Sequence, residues 1–151
     1  MRRKEKEITD NNEIEAIIRK SLVCRLAMVD GDAPYVVPLC FGYADRTLYF
    51  HSASQGKKLE ILKKNNRVCF EFDVDQSLKM GEKPCAWSMT YKSVLGFGSA
   101  YLLTDFEAKR KALDIIMRNY NADSYEYPKS AVDEITVIKV QIQQMTGKQS
   151  T

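Results

Sequence analysis

The chain has 151 residues, enough for one hydrophobic core and too few for two ordinary domains. Hydrophobic residues make up 44% and charged residues 28%, the balance of a soluble globular protein, and no apolar run approaches the roughly 18 residues of a membrane span. The net charge of +3 is mild, and its clearest cluster, Arg2-Arg3-Lys4, is diluted by Glu5 and Glu7, which argues against a nucleic-acid partner. The opening MRRKEKE runs into a polar segment with no secretory apolar core, so a cytoplasmic address is expected. Cys24, Cys40, Cys69 and Cys85 form no CxxC pair and are accompanied by a single histidine, so neither a zinc site nor a disulfide framework is indicated. Three of them lie in apolar strand-like runs, where buried reduced thiols are expected.

In chain order, Asp10-Asn11-Asn12 offers helix caps and Ile14, Ile17, Ile18 and Leu22 recur at helical spacing, predicting a helix to about Ser21. Val23 to Asp30 reads as a strand, Gly31-Asp32 as a turn, and Tyr35 to Phe41 as a second strand. Pro38 cannot donate to a ladder, so that strand is at an edge, bulged, or open to something other than a neighbour, and a flat ligand would fit such a gap. Ala44-Asp45-Arg46 turns the chain into Leu48-Tyr49-Phe50. After a helix ending near Asn65-Asn66, Arg67 to Asp75 is a strand with Val68, Phe70, Phe72 and Val74 on its core face. Gln76 to Pro84 is polar and reads as loop. The β-prone run from Cys85 to Thr104 carries Gly96 and Gly98, which suggest a bulge or a close backbone approach. Thr104-Asp105-Phe106-Glu107 is a capping-box pattern before a helix with Ala108, Ala112, Ile115, Ile116 and Tyr120 on one face. Asn121 to Pro128 reads as loop, Ile135 to Ile142 as the last strand, and Gln144 to Thr151 as an exposed tail. Strands joined by short turns with one brief helical crossover predict a mainly β (α+β) antiparallel sheet or small barrel with peripheral helices, in one domain over residues 1–151.

The stretch Leu48 to Phe72 organises the rest. Its small-residue loop opens a helix whose start presents free N–H groups, the hydroxyls of Ser52 and Ser54, the Gly56 backbone and the ammoniums of Lys57 and Lys58. That is an anion cradle suited to a phosphate, although a helix start with merely solvated lysines has the same composition. It matches neither the eight-residue phosphate loop nor the GxGxxG dinucleotide pattern. His51, the lone histidine, ends a strand beside this loop, where it can serve as a structural hydrogen-bonding residue or a functional one.

Several segments together resemble the FMN-binding split β-barrel family typified by pyridoxamine 5'-phosphate oxidase, most closely its nitroimidazole-resistance branch. They are Met1 to Lys4, Pro34 to Phe41 (PYVVPLCF), Leu48 to Lys58 (LYFHSASQGKK), Arg67 to Phe70, Tyr91 to Gly98 (YKSVLGFG) and Thr146 to Lys148. The resemblance implies a homodimer with two FMN molecules between protomers. Val37, Pro38 and Leu39 would lie beside the flavin ring. His51, Ser52 and Ala53 would line the ribityl and phosphate region, with Lys57 and Lys58 on the phosphate. Trp87, Ser88, Tyr91, Ser93 and Val94 fall in the run by which similar proteins complete the partner's site. The expected activity is a flavin-dependent reductase of small electron-poor aromatics such as 5-nitroimidazoles, drawing electrons from NAD(P)H or another donor, with His51 as the candidate proton donor. His51, Trp87, Tyr91 and Phe97 would shape the substrate pocket. The alternatives are a non-catalytic protein that binds or stores flavin, haem or the deazaflavin F420, or a pyridoxamine 5'-phosphate oxidase-related enzyme. Val137 to Gln144 (VIKVQIQQ) lacks the tryptophan and arginines of the oxidase's C-terminal strand, which argues against vitamin B6 oxidation.

Overall fold

The computed structural model describes residues 3–121 and 125–151. Strand accounts for 49% of the chain, in one sheet that does not close on itself, so the fold is a mainly β split barrel with helices around it. A two-residue strand, β1 (Glu7–Ile8), precedes α1 (Asn11–Lys20), whose start is fixed by the Asp10 carboxylate accepting from the Asn12 N–H at 2.9 Å. Ile14, Ile17 and Ile18 face inward from α1. Next come β2 (Cys24–Asp30) and β3 (Ala33–Leu39), paired across a turn in which Gly31 takes φ +68. β4 (Gly42–Ala44) and β5 (Thr47–Ala53) form a hairpin through Asp45 and Arg46, both left-handed at φ 48 and 54, the geometry a two-residue turn requires. α2 (Lys57–Lys64) leads into β6 (Arg67–Lys79) and β7 (Ser88–Leu103), and α3 (Phe106–Asn119) and α4 (Lys129–Asp133) precede β8 (Ile135–Ser150).

The strand order is β3-β2-β6-β7-β8-β5-β4, with β1 on β8, and every pairing is antiparallel. β3 is thus an edge strand, which is where Pro34 and Pro38 remove no ladder bond. The core gathers Phe41, Phe50, Phe70 and Phe72, all fully buried, with the Phe41 and Phe72 rings 4.8 Å apart. Burying each such ring stabilises the fold by about 1.5–3 kcal/mol.

Several sequence expectations change. Gln76 to Lys79 is strand, not loop: β6 passes a register shift between Val74 and Ser77, where Asp75 goes left-handed at φ 59, and then pairs with β7 again. The tail is strand as well, because β8 runs to Ser150 between β7 and β1, with Met145 packed against the core. Asp105, not Thr104, caps α3 by accepting from the Ala108 N–H at 2.9 Å, while Glu107 pairs with Arg110 at 3.1 Å. A carboxylate suits the positive helix end better than a hydroxyl. α3 buries Lys109 with Ala112 and Ile116; its ammonium donates to the carbonyls of Val132 (3.2 Å) and Ile135 (2.7 Å) and ties α3 to α4 and β8. Of the cysteines only Cys24 is buried, Cys69 is half-buried, and Cys40 and Cys85 are exposed. Burial pushes the Cys24 thiol far up. The expected loop Asn121 to Pro128 is described only outside residues 122–124, and Met1 and Arg2 of the opening motif also lie outside the described residues.

Candidate functional site

β5 ends at Ala53, opposite Ile135 at the beginning of β8, and the chain breaks through Ser54 and Gln55 to Gly56, at φ 137. Gly56 has no side chain to cap α2, so the helix begins with open donors. The first intrahelical bond is that of the Leu59 N–H to the Gly56 carbonyl at 3.0 Å, and the N–H groups of Lys57 and Lys58 come before it. Around this start lies a cleft of about 420 Å³ lined by Tyr35, His51, Ser52, Ala53, Gln55, Gly56, Lys57, Lys58 and Leu59. His51, Ser52, Ala53, Lys57 and Lys58, which the sequence groups together, therefore meet in one place. Ser54 does not line it.

Two contributors come from β2 and β3 and lie beyond the local motif. Tyr35 sits under the Lys57 ammonium, 5.0 Å from the ring centroid, and Asp30 pairs with Lys57 at 3.3 Å. Alternation along β3 would have put Tyr35 on the face of Val37 and Leu39, so the signal for it was present; Asp30 gives no local signal. The two lysines differ. Lys57 is held by a carboxylate and a ring, whereas partial burial holds the Lys58 ammonium below the usual lysine range.

The remaining sequence candidates lie elsewhere in the chain. Val37 and Leu39 pack against the core from the edge strand, with Pro38 exposed between them opposite Arg25. Ser88 and Tyr91 line a second cleft with Arg3, Lys6, Met89, Lys148 and Ser150. Trp87 is half-exposed and donates from Nε1 to the Gly81 carbonyl at 2.8 Å. Ser93 lies opposite Asp73 and Lys148, and the Val94 side chain is fully buried in the core. The chain thus brings together the β5–α2 group and leaves the β7 group apart from it. Among the described residues no cluster of three or more metal-ligating side chains occurs, and no helix is long and apolar enough to cross a membrane.

A family model described as pyridoxamine 5'-phosphate oxidase matches residues 10–149. The chain belongs to the pyridoxamine 5'-phosphate oxidase family. Among solved structures it is similar to a Bacteroides thetaiotaomicron protein provisionally named for 5-nitroimidazole antibiotic resistance, at 42% identity and a TM-score of 0.85, with 94% of this chain and 85% of that one covered. It is also similar to an FAD-binding protein from Mesorhizobium loti, at 26% identity and a TM-score of 0.67, covering 94% and 96%. The flavocytochrome Anf3 from Azotobacter vinelandii shares the fold at 17% identity and a TM-score of 0.85, covering 100% of this chain and 72% of that one. No curated protein matches significantly. In this member of the pyridoxamine 5'-phosphate oxidase family, the β5–α2 cleft fits the phosphate end of a flavin: uncapped helix N–H groups, two ammoniums and the Ser52 hydroxyl converge there.

Proposed function

We propose that the protein is a flavin-dependent oxidoreductase that holds FMN at the β5–α2 cleft and reduces small electron-poor aromatics, with 5-nitroimidazoles as the substrate class. The observation that carries this reading is the cleft, where His51 sits beside a ready-made phosphate cradle; the 42% identical relative named for nitroimidazole resistance supports the substrate class. Bound FMN would supply the electron transfer, between NAD(P)H or another donor and the nitro group. The chain's part is to bind and orient. The first N–H groups of α2 and the Lys57 and Lys58 ammoniums hold the phosphate, and Tyr35 and Asp30 keep Lys57 in position. His51 is exposed at the cleft, where its imidazole can pass a proton to a substrate oxygen. The test is anaerobic turnover of a 5-nitroimidazole by the purified protein with NADH or NADPH. His51→Ala is expected to lose about 10²–10³ in kcat while retaining its flavin. Unchanged turnover in that variant would remove His51 from the chemistry, and bound flavin that no nitro compound reoxidises would make the chain a binding protein.

The same reading includes a homodimer. Support comes from the outer face of β3-β2-β6-β7, where the cross-strand row Val36, Ala27, Cys69 and Phe97 adjoins Val29 and Leu95. Val36 is 60% exposed, and Val29, Leu95 and Phe97 are each exposed by about two-fifths in the single chain (43%, 42% and 43%), an apolar patch of the kind that a second copy covers. Val36→Asp with Phe97→Asp is expected to shift the protein from dimer to monomer in light scattering. A parent protein that runs as a monomer at tens of micromolar would dispose of the dimer.

A further inference from the structure

Lys109 is the only buried charged side chain among the described residues, and no carboxylate among them pairs with it. Its ammonium is answered by two backbone carbonyls, those of Val132 at 3.2 Å and Ile135 at 2.7 Å. Placing a charge in the interior costs free energy, and an apolar side chain of the same length would fill the space at less cost. The partners of the ammonium show what it holds. Val132 lies in the last turn of α4, where a cation suits the negative helix end. The shorter bond goes past α4 to Ile135, the first residue of β8.

That end of β8 supports the β5–α2 cleft. Ile135, Thr136 and Val137 are the register partners of Ala53, Ser52 and His51, the three β5 residues that line it. β4 pairs with β5 only from Thr47 to Tyr49, so beyond Tyr49 β8 is the one strand paired with β5 among the described residues. The cleft half of β5 is thus an edge, and an edge segment frays unless its single neighbour is fixed. Lys109 fixes that neighbour at its first residue, where no earlier part of the ladder can hold it. We propose that Lys109 is a positioning residue for the β5–α2 cleft, acting through the start of β8 to keep His51, Ser52 and Ala53 in place. Lys109 does not itself line the cleft, so its removal loosens the residues that do rather than deleting a contact to the ligand. The effect on cofactor affinity rests on the flavin reading given above; the effect on the end of β5 does not.

The experiment compares the full-length parent with two variants. Lys109→Met keeps the length of the side chain and removes the ammonium. Ile17→Val trims a buried residue of α1 and is the control for lost stability. FMN affinity is read by fluorescence quenching, and hydrogen exchange by mass spectrometry over residues 50–54 and, for comparison, over residues 68–72 of β6. Lys109→Met is expected to bind FMN about tenfold more weakly. It should also exchange about tenfold faster over residues 50–54, with residues 68–72 as in the parent. Ile17→Val should keep the parent's affinity. If the parent binds FMN, an unchanged affinity or unchanged exchange over residues 50–54 in Lys109→Met overturns the proposal. So does a loss of the same size in Ile17→Val, which would make the effect one of general stability. Should Lys109→Met not fold, Lys109→Gln, whose amide still donates to one carbonyl, takes its place with the same readings. A parent that binds no FMN, with residues 50–54 still loosened in Lys109→Met, would sink the flavin reading and leave the role of Lys109 standing.

Discussion

Replacing Lys57 and Lys58 together by glutamate is expected to yield a folded protein that no longer retains flavin. Each lysine would lose a charge-assisted contact to phosphate worth about 1.5–3 kcal/mol, so the pair accounts for roughly 10²–10⁴ in affinity before the added repulsion is counted. The fold should tolerate the change. Lys57 is exposed, and its pair with Asp30 involves groups in contact with water, where such pairs contribute about 0–1 kcal/mol. Absorbance of the purified variant, with the melting temperature as the control for folding, checks the result; full flavin retention would sink the phosphate assignment. The pH dependence carries a second signature. Burial lowers the Lys58 pKa in the folded chain, so its positive charge is lost at a lower pH than in a free lysine. Flavin retention should therefore decline as pH rises through that depressed value, and Lys58→Arg, which keeps its charge, should resist the decline. Over the same window the unliganded fold gains stability, because the unfolded chain still binds the proton that the folded chain has released. Loss of flavin at alkaline pH would then occur without unfolding.

Gly42→Ala is expected to destabilise the protein by about 3 kcal/mol, the upper end of the cost of overpacking, and to lower the melting temperature by roughly 6–12 °C. A Cβ at Gly42 would stand 2.6 Å from the Ile116 nitrogen and 2.8 Å from the Ile115 carbonyl carbon and the Ile116 Cα. All three are backbone atoms of α3, so no side chain can swing aside and the helix must lift from β4. Against a total stability of about 5–15 kcal/mol the loss is large. Gly31→Asn, at a turn with φ +68 and nothing within 4 Å of the added carbon, is the control and should cost less than about 1 kcal/mol. Equal melting temperatures for Gly42→Ala and the parent would show that β4 and α3 do not pack this closely.

The sequence was most legible where pattern and burial coincide. Val68, Phe70, Phe72 and Val74 alternate and face the core, and Ile14, Ile17 and Ile18 recur at helical spacing and are buried. Pro38 was a true edge signal because β3 ends the sheet. Two of the misses share a cause: Gln76 to Lys79 and the second half of β8 are mostly polar, and hydrogen bonds to neighbouring strands hold them, which no window of residues reveals. The anion cradle was legible because its parts lie within eight consecutive residues. Tyr35 and Asp30 reach it across the fold, from strands distant in sequence.

The position of β8 bears on how the molecule comes into being. β8 is made after every other strand of this sheet, yet it lies between β7 and β5. Until it emerges, β5 and β4 have no hydrogen-bonded link to β3-β2-β6-β7, and β7 presents an unpaired edge sixteen residues long. Folding must then wait for contacts of high sequence separation, which makes it slow and leaves a nascent species open to edge-to-edge association. Shortening the chain from its C-terminus within the polar stretch that looks dispensable would strip β1 and the Tyr91 to Phe97 half of β7 of the strand they pair with.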